Sequence, residues 1–209
     1  MHRHSRYITL AKRNKDWGSW PAFAEAVATL RTKAKETGAG DPYVVIMDFD
    51  PVTAAQYART LGADATSAYA FGAGTEEGAP FAENRRTLME QWDKAAATGV
   101  PVVPLVSMGW DPRPRVDTPT PWATGSYPNN KHFITPTTTE AAEHLREAMD
   151  WVARQAEAAV AQAVVIYAWN ENDEGGWIVP TLNPDGSTND DRVQALGRAV
   201  RQWQRPAPK

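Results

Sequence analysis

The sequence predicts an α/β fold in which parallel strands alternate with helices. Three observations predict it: short apolar runs of strand length, helix-length segments between them, and short connections. Strands that are separated by helices pair in parallel through right-handed crossovers. The chain of 209 residues is long enough for one domain with a sizeable core. Because neither a linker nor an internal repeat divides it, we expect a single α/β domain over residues 1–209.

Capping residues mark the expected helix boundaries. Ser19 precedes a helix predicted from Trp20 to about Glu36, and Gly38 follows it. Thr137 and Glu140 have the spacing of a capping box. The other predicted helices run from Pro51 (after Asp50) to Leu61, from Phe81 to about Ala97, from Thr137 to about Val160, and from Asn189 to Gln204.

Apolar runs between these helices predict about five strands. Tyr43–Phe49 is apolar almost throughout, which is typical of a strand buried on both faces. The remaining strands are predicted at Tyr7–Leu10, Ala65–Tyr69, Val100–Val106 and Ala163–Ala168. A stretch rich in Pro, Thr and Asn from Trp110 to Thr137 is interpreted as a lid or subsite wall; the alternative is an excursion that contacts nothing.

Two architectures are compatible with this pattern. A complete (β/α)8 barrel, or TIM barrel, needs eight strands and usually about 250 residues. The chain therefore forms either an open doubly wound parallel sheet or a partial barrel with about four to five parallel strands.

Composition and charge exclude several classes of function. The net charge is −3, and no basic stretch is interleaved with aromatics, so no nucleic-acid partner is expected. No apolar run reaches the length of a membrane span. The chain has no cysteine, no histidine pair with metal-ligand spacing and no phosphate-binding glycine motif, so we expect no metal and no cofactor.

The N-terminus predicts the compartment. Its basic start leads into only a short apolar segment, Tyr7–Leu10, where a signal peptide needs a longer one. We therefore expect a cytoplasmic protein from the chain as written. A missing N-terminal extension would make a secreted protein the alternative.

Candidate chemistry lies in the loops after the strands, because ligands of parallel sheets bind at the carboxyl ends of their strands. The loop after the last strand, WNENDEGGW, places Glu171 and Glu174 three positions apart with Asp173 between them. Close carboxylates favour different protonation states, as general acid and base roles require. Nine tryptophans in the chain mildly favour sugar stacking. The alternative is a solvated acidic turn.

Two segments carry a family resemblance. WNENDEGGWIVPT (169–181) resembles the Trp-Asn-Glu-Trp-x-Glu-Gly motif of the WbsX-type, glycoside hydrolase family 99-like TIM barrels, which include endo-acting α-mannosidases. GWDPRPR (109–115) resembles the Gly-Trp-Asp-x-x-Pro-Arg segment of the same group. The resemblance extends from about Tyr43 to the end of the chain and implies the C-terminal part of a longer barrel.

The resemblance implies a mechanism. Glu174 would act as the general acid on the leaving oxygen, and Glu171 as the base at the sugar 2-hydroxyl, with retention through an anhydro-sugar intermediate. The positions between these glutamates are Asn172 and Asp173, where the family has Trp and His, and Val179 stands where an acidic residue is frequent. Because of these departures, the resemblance alone does not imply mannose specificity or catalytic activity.

Further residues are candidates for substrate binding. Trp110 would stack on a sugar ring, and Asp111 and Arg113 would bond hydroxyl groups; the alternative is a salt bridge and a buried tryptophan. Asp48 either points into the site or caps the next helix, whereas Asp50 is better explained as that cap. The remaining candidates are Trp169, Asn170, Asp173, Trp177 and Tyr69.

These observations favour a glycosidase that acts on a polysaccharide or glycan. One alternative is a catalytically inactive carbohydrate-binding protein, and another is a truncated barrel fragment. Half a barrel exposes sheet edges, which natural proteins rarely tolerate. A homodimer or a missing N-terminal half would cover them.

Overall fold

The computed structural model describes residues 7–11, 19–118 and 130–205. The helices are α1 (Trp20–Glu36), α2 (Pro51–Leu61), α3 (Phe81–Ala96), α4 (Arg113–Asp117), α5 (Thr138–Arg154) and α6 (Asp191–Gln202). The strands are β1 (Tyr7–Ala11), β2 (Tyr43–Met47), β3 (Ala65–Ser67), β4 (Leu105–Ser107), β5 (Val165–Tyr167), β6 (Asn170–Glu171), β7 (Gly176–Trp177), β8 (Thr181–Leu182) and β9 (Thr188–Asn189).

The chain divides into two compact units. The first unit comprises residues 1–69, 91–104 and 156–162, and the second unit comprises residues 70–90, 105–155 and 163–209. The expectation of a single domain over residues 1–209 stays a prediction.

The first unit contains a parallel sheet in the order β1-β2-β3. In the register of these strands, Tyr43 lies opposite Tyr7, and Val45 lies opposite Ala65. An isolated parallel bridge between Thr66 and Val102 extends the pairing. The predicted parallel pairing is therefore confirmed for these strands.

The core of the first unit lies between its helices and its sheet. Phe23 and Val27 of α1 pack with Val44 and Ile46 of β2, and the other buried members are Ala55, Ala58, Leu61 and Val100. Caps define the helix starts as predicted: Ser19 accepts from the Ala22 N–H (3.3 Å), and Asp50 accepts from the Thr53 N–H (2.7 Å).

The second unit combines a parallel strand pair with two packed helices. Strand β4 pairs in parallel with β5, and Leu105 lies opposite Val165. Helix α5 packs on α6 through small and apolar side chains, among them Ala148 (0% exposed) and Leu196 (5% exposed). Two short antiparallel pairs, β6–β7 and β8–β9, follow β5.

Two elements differ from the prediction. The strand expected at Val100–Val106 is reduced to Leu105–Ser107, because Pro101 and Pro104 have no N–H for a sheet ladder. The helix expected to reach Val160 ends at Arg154. Beyond it, the Ala158 carbonyl accepts from the Val102 N–H (2.7 Å), a tertiary contact in place of a helical one.

The described parts of the long loop, residues 110–118 and 130–137, contain elements that the sequence did not predict. Helix α4 lies in the first part, and His132 and Phe133 in the second form isolated bridges with Thr75 and Ala79. Thr137 and Glu140 form the predicted capping box, with side-chain-to-backbone bonds of 3.2 and 2.8 Å. Residues 119–129 lie outside the described residues, so the lid or subsite wall stays a prediction.

The predicted alternation of helices and parallel strands is confirmed. Within residues 7–11, 19–118 and 130–205, the parallel strands form one three-stranded and one two-stranded sheet. The choice between a partial barrel and an open doubly wound sheet remains a prediction. Among the same residues, no helix combines the length and the apolar character that crossing a bilayer requires.

A partly buried ionic network joins α3 to α5 in the second unit. Arg85 bonds Glu147 through two nitrogens (2.5 and 3.2 Å) and Glu143 through a third (3.1 Å). His144 is fully buried, and its Nδ1 lies 3.4 Å from Glu147 Oε2. Burial lowers the pKa of His144, so the ring is neutral near pH 7. Arg85 therefore supplies the charge that faces Glu147.

This network predicts a free energy of unfolding that decreases at acidic pH. Burial alone would raise the pKa of Glu147, but the bonds from His144 and Arg85 outweigh burial and lower it to about 2. A carboxyl group whose pKa is lower in the folded than in the unfolded state stabilises the protein at pH values above its unfolded-state pKa. That contribution is lost as the pH falls from about 4.5 to about 2. Glu147→Gln should cost on the order of 1–2 kcal/mol at pH 7 and little near pH 2.

Urea unfolding at several pH values measures this effect. Glu143→Gln is the matched control, because its side chain is 48% exposed and bonds the same arginine. A Glu147→Gln penalty that stayed constant from pH 7 to pH 2.5 would contradict the assignment.

Candidate active site

The two motif segments are in backbone contact within the second unit. Gly109 has φ +131°, and a Cβ there would lie 2.5 Å from the Gly175 carbonyl oxygen. Gly175 has φ +74°, and a Cβ there would lie 2.8 Å from the Asp111 nitrogen. The Asp111 N–H donates to the Glu174 carbonyl at 2.7 Å. Only glycine fits this approach, so the glycines of both motifs are required by packing.

The second motif forms a small hairpin after β5. Strands β6 and β7 pair antiparallel, with Asn170 opposite Trp177. A 3-10 turn over Asn172–Glu174 connects them. This turn presents Asp173 and Glu174 one after the other, directly beyond Glu171 at the end of β6. The hairpin was not predicted, because strands of two residues leave no periodic signal.

Arg115 of α4 joins the acidic side chains of this hairpin. Its Nη2 donates to Glu171 at 2.9 Å, and its Nε donates to Asp173 at 2.6 Å. Its Nη1 donates to Glu174. The Arg115 side chain is only 15% exposed, so these ion pairs are partly shielded from water. One guanidinium from the first motif thus contacts three carboxylates of the second.

The two glutamates differ in burial. The Glu174 side chain is 6% exposed and accepts from the Tyr167 hydroxyl as well as from Arg115. The Glu171 side chain is 24% exposed. Glu174 therefore lies deeper, and Glu171 lies nearer the solvent.

Two neighbouring aspartates are held as carboxylates. The hydrogen bond from Arg115 lowers the pKa of Asp173, against an opposing effect of burial. The hydrogen bonds from Arg113 lower the pKa of Asp111 in the same way. Arg113 bonds both oxygens of Asp111 at 2.8 and 2.7 Å. The pair corresponds to the salt bridge that was the alternative to sugar binding.

The tryptophans of the two motifs lie in different environments. The Trp110 ring lies 6.3 Å from the Tyr167 ring and against the backbone of Gly72, where a Cβ would lie 2.3 Å from it. Trp177 stacks under the Arg192 guanidinium at 3.8 Å. Trp169 is 55% exposed, while its carbonyl accepts from the Ile178 and Val179 N–H groups at 3.1 and 2.8 Å.

The remaining candidates are one residue of this hairpin and two residues of the first unit. Asn170 is exposed at the start of β6. Asp48 and Tyr69 belong to the first unit. Asp48 accepts from the Asp50 N–H at 3.1 Å, and Tyr69 is 54% exposed. Their role in substrate binding stays a prediction.

Sequence reasoning did not single out Arg115, Tyr167 or Arg192. Arg115 had a usable signal, because it is the last residue of the GWDPRPR segment. Tyr167 is hidden in an apolar strand, and Arg192 is one of several arginines in α6. In the described ranges, no group of three or more His, Asp or Glu side chains has the arrangement of a metal site.

The chain was compared with known proteins. No protein-family profile matches it, and no curated protein matches it. Among solved structures, a GH99 endo-α-mannosidase from Bacteroides thetaiotaomicron, in complex with bis-tris propane, is a weak neighbour, with a TM-score of 0.42 and 19% sequence identity. The match covers 77% of this chain and 45% of that enzyme. The chain thus spans less than half the length of this neighbour.

The Arg115 cluster predicts a large asymmetry between two nearby arginines. Arg115→Met would leave partly buried carboxylates without their cation, and we expect a loss of about 2–3 kcal/mol in the free energy of unfolding. Arg113→Met removes an exposed pair (47% for Arg113) and should cost less than about 1 kcal/mol. Urea denaturation measures both. Equal losses would show that Arg115 does not organise the cluster.

Proposed function

We propose that this chain is a glycoside hydrolase that acts on a polysaccharide or glycan, with Glu174 as its acid and Glu171 as its base. The supporting observation is the convergence of both glutamates on Arg115. This arginine comes from the other motif that resembles family 99-like proteins. The two motifs therefore form one cluster in the second unit.

The cluster has the charge balance that acid–base chemistry requires. Glycoside hydrolysis needs one carboxyl group that gives a proton and one that takes a proton. Glu171, Asp173 and Glu174 surround a single guanidinium, so the cluster has negative charge to accommodate a proton. Glu171, at the solvent side, is the group that a sugar hydroxyl reaches first. Glu174 is the acid in the scheme implied by the resemblance.

The contacts of Glu174 set a condition on this scheme. Its carboxylate accepts from Tyr167 and pairs with Arg115. To act as a general acid, this carboxylate has first to take up a proton from solvent. It then has to exchange at least one of these contacts for the leaving oxygen of the substrate.

A second candidate function is sugar binding without cleavage. The same two contacts favour it, because a buried and doubly bonded carboxylate is a stable structural element. Exposed Trp169 would still stack on a sugar ring, and Asp173 would still accept hydroxyl groups. The two candidates differ in product formation and not in binding.

Amide substitutions separate these functions. Glu174→Gln keeps the shape of the side chain and can still accept from Tyr167, so the fold should persist. We expect kcat to fall by about 10²- to 10⁴-fold for Glu174→Gln and for Glu171→Gln. Reducing-end release from a panel of polysaccharides, α-mannan included, measures turnover. Glu90→Gln, an exposed glutamate on α3, is the matched control.

Each outcome has a distinct meaning. If the unchanged protein turns over substrate and the Glu174→Gln variant does so equally fast, the acid role of Glu174 is rejected. Sugar binding, followed by calorimetry, with no product after long incubation supports the inactive carbohydrate-binding protein.

A further inference from the structure

Arg192 connects α6 to the backbone of both motif segments. It projects from the first turn of α6 in the second unit. Its Nη1 donates to the Met108 carbonyl at 3.0 Å and to the Trp177 carbonyl at 2.9 Å, and its Nη2 lies 3.5 Å from the Pro136 carbonyl. The plane of the guanidinium also covers the Trp177 ring at 3.8 Å.

The Arg192 guanidinium is stabilised by dipoles and an aromatic face. In the part of the chain that the structure describes, the partners of its guanidinium are carbonyl oxygens and an aromatic face. Burial lowers the pKa of Arg192 to about 10, so it is still cationic at neutral pH. Carbonyl dipoles and a tryptophan face are the groups that stabilise such a cation. A surface arginine needs no such arrangement, which indicates a specific role.

The carbonyls that Arg192 holds flank the site on both sides. Met108 directly precedes Gly109, Trp110 and Asp111 of the first motif. Trp177 directly follows Gly175 and Gly176 of the second. The residues next to these carbonyls make two further backbone bonds: the Asp111 N–H donates to the Glu174 carbonyl (2.7 Å), and the Ala168 N–H donates to the Gly176 carbonyl (2.6 Å).

We propose that Arg192 is a positioning residue that clamps the two motif segments together and so sets the place of Glu174 relative to Asp111. Two carbonyl oxygens from separate segments converge on one nitrogen, and they would repel each other without a shared donor. Loss of the guanidinium would leave both without this partner and would uncover the Trp177 ring. The segments would then separate where Gly109 and Gly175 are in closest contact.

The clamp is a property of the fold, whereas its effect on turnover rests on the proposed function. In a hydrolase, displacement of Glu174 should lower kcat more than it raises KM, because Arg192 bonds backbone carbonyls and the displaced group is the acid. An inactive binding protein would still show the clamp in its backbone protection.

Amide hydrogen exchange by NMR tests the clamp directly. In Arg192→Met, we expect exchange at the Asp111 and Ala168 amides to accelerate on the order of ten- to a hundredfold, with little change at the middle of α5. Arg198→Met, an exposed arginine on the same helix, is the control and should leave both rates unchanged. Arg192→Lys retains the charge and donors but not the planar fork, and it should accelerate exchange by a smaller factor.

The outcomes separate the clamp from the proposed hydrolase. Unchanged exchange at Asp111 and Ala168 in Arg192→Met overturns the clamp, and so does equal acceleration at every amide. If Arg192→Met does not fold, Arg192→Lys decides: local acceleration supports the clamp, and wild-type rates overturn it. Absence of turnover in the unchanged protein rejects the hydrolase and leaves the exchange result valid.

Discussion

The acidic hairpin after β5 depends on the guanidinium of Arg115. Three carboxylates follow one another within four residues, and without a cation they would repel each other and turn outward. Arg115 holds all three from a short helix in a distant part of the sequence. The conformation of one motif is therefore a consequence of the other.

Glycine contacts and a second arginine complete this arrangement. Gly109 and Gly175 let the two segments approach at backbone distance, and Arg192 bonds carbonyls on either side of that contact. Arg115 pairs with three carboxylates, whereas Arg192 bonds backbone carbonyls. Arg115 therefore contacts the side chains of the cluster, and Arg192 contacts its backbone. Carboxylates stabilise the charge of Arg115, whereas carbonyl dipoles and the Trp177 ring stabilise that of Arg192.

Much of the fold could be predicted because its signals are local. Ser19 and Asp50 cap their helices as their side chains indicate, and β2 lies in the apolar run that predicted it. The hairpin and α4 could not be predicted, because tertiary bonds stabilise them and not periodicity. Spacing and resemblance led to the prediction of Glu171 and Glu174, and their catalytic role stays a prediction. Arg115 ends the first motif segment but was not singled out, because its acidic partners are more than fifty residues away in the sequence. Tyr167 gave no signal within its apolar strand.

Trp169 shows what a rigid backbone means for a flat side chain at the surface. Its carbonyl accepts hydrogen bonds from the N–H groups of Ile178 and Val179, which follow β7. More than half of the residue is exposed (55%). Ordering a backbone residue on binding typically costs about 1–2 kcal/mol in conformational entropy. At Trp169 that cost has already been met by folding. In the proposed sugar-binding role, a ring that docks on Trp169 would immobilise little beyond the indole itself, so a small apolar contact would contribute to affinity with little loss of entropy.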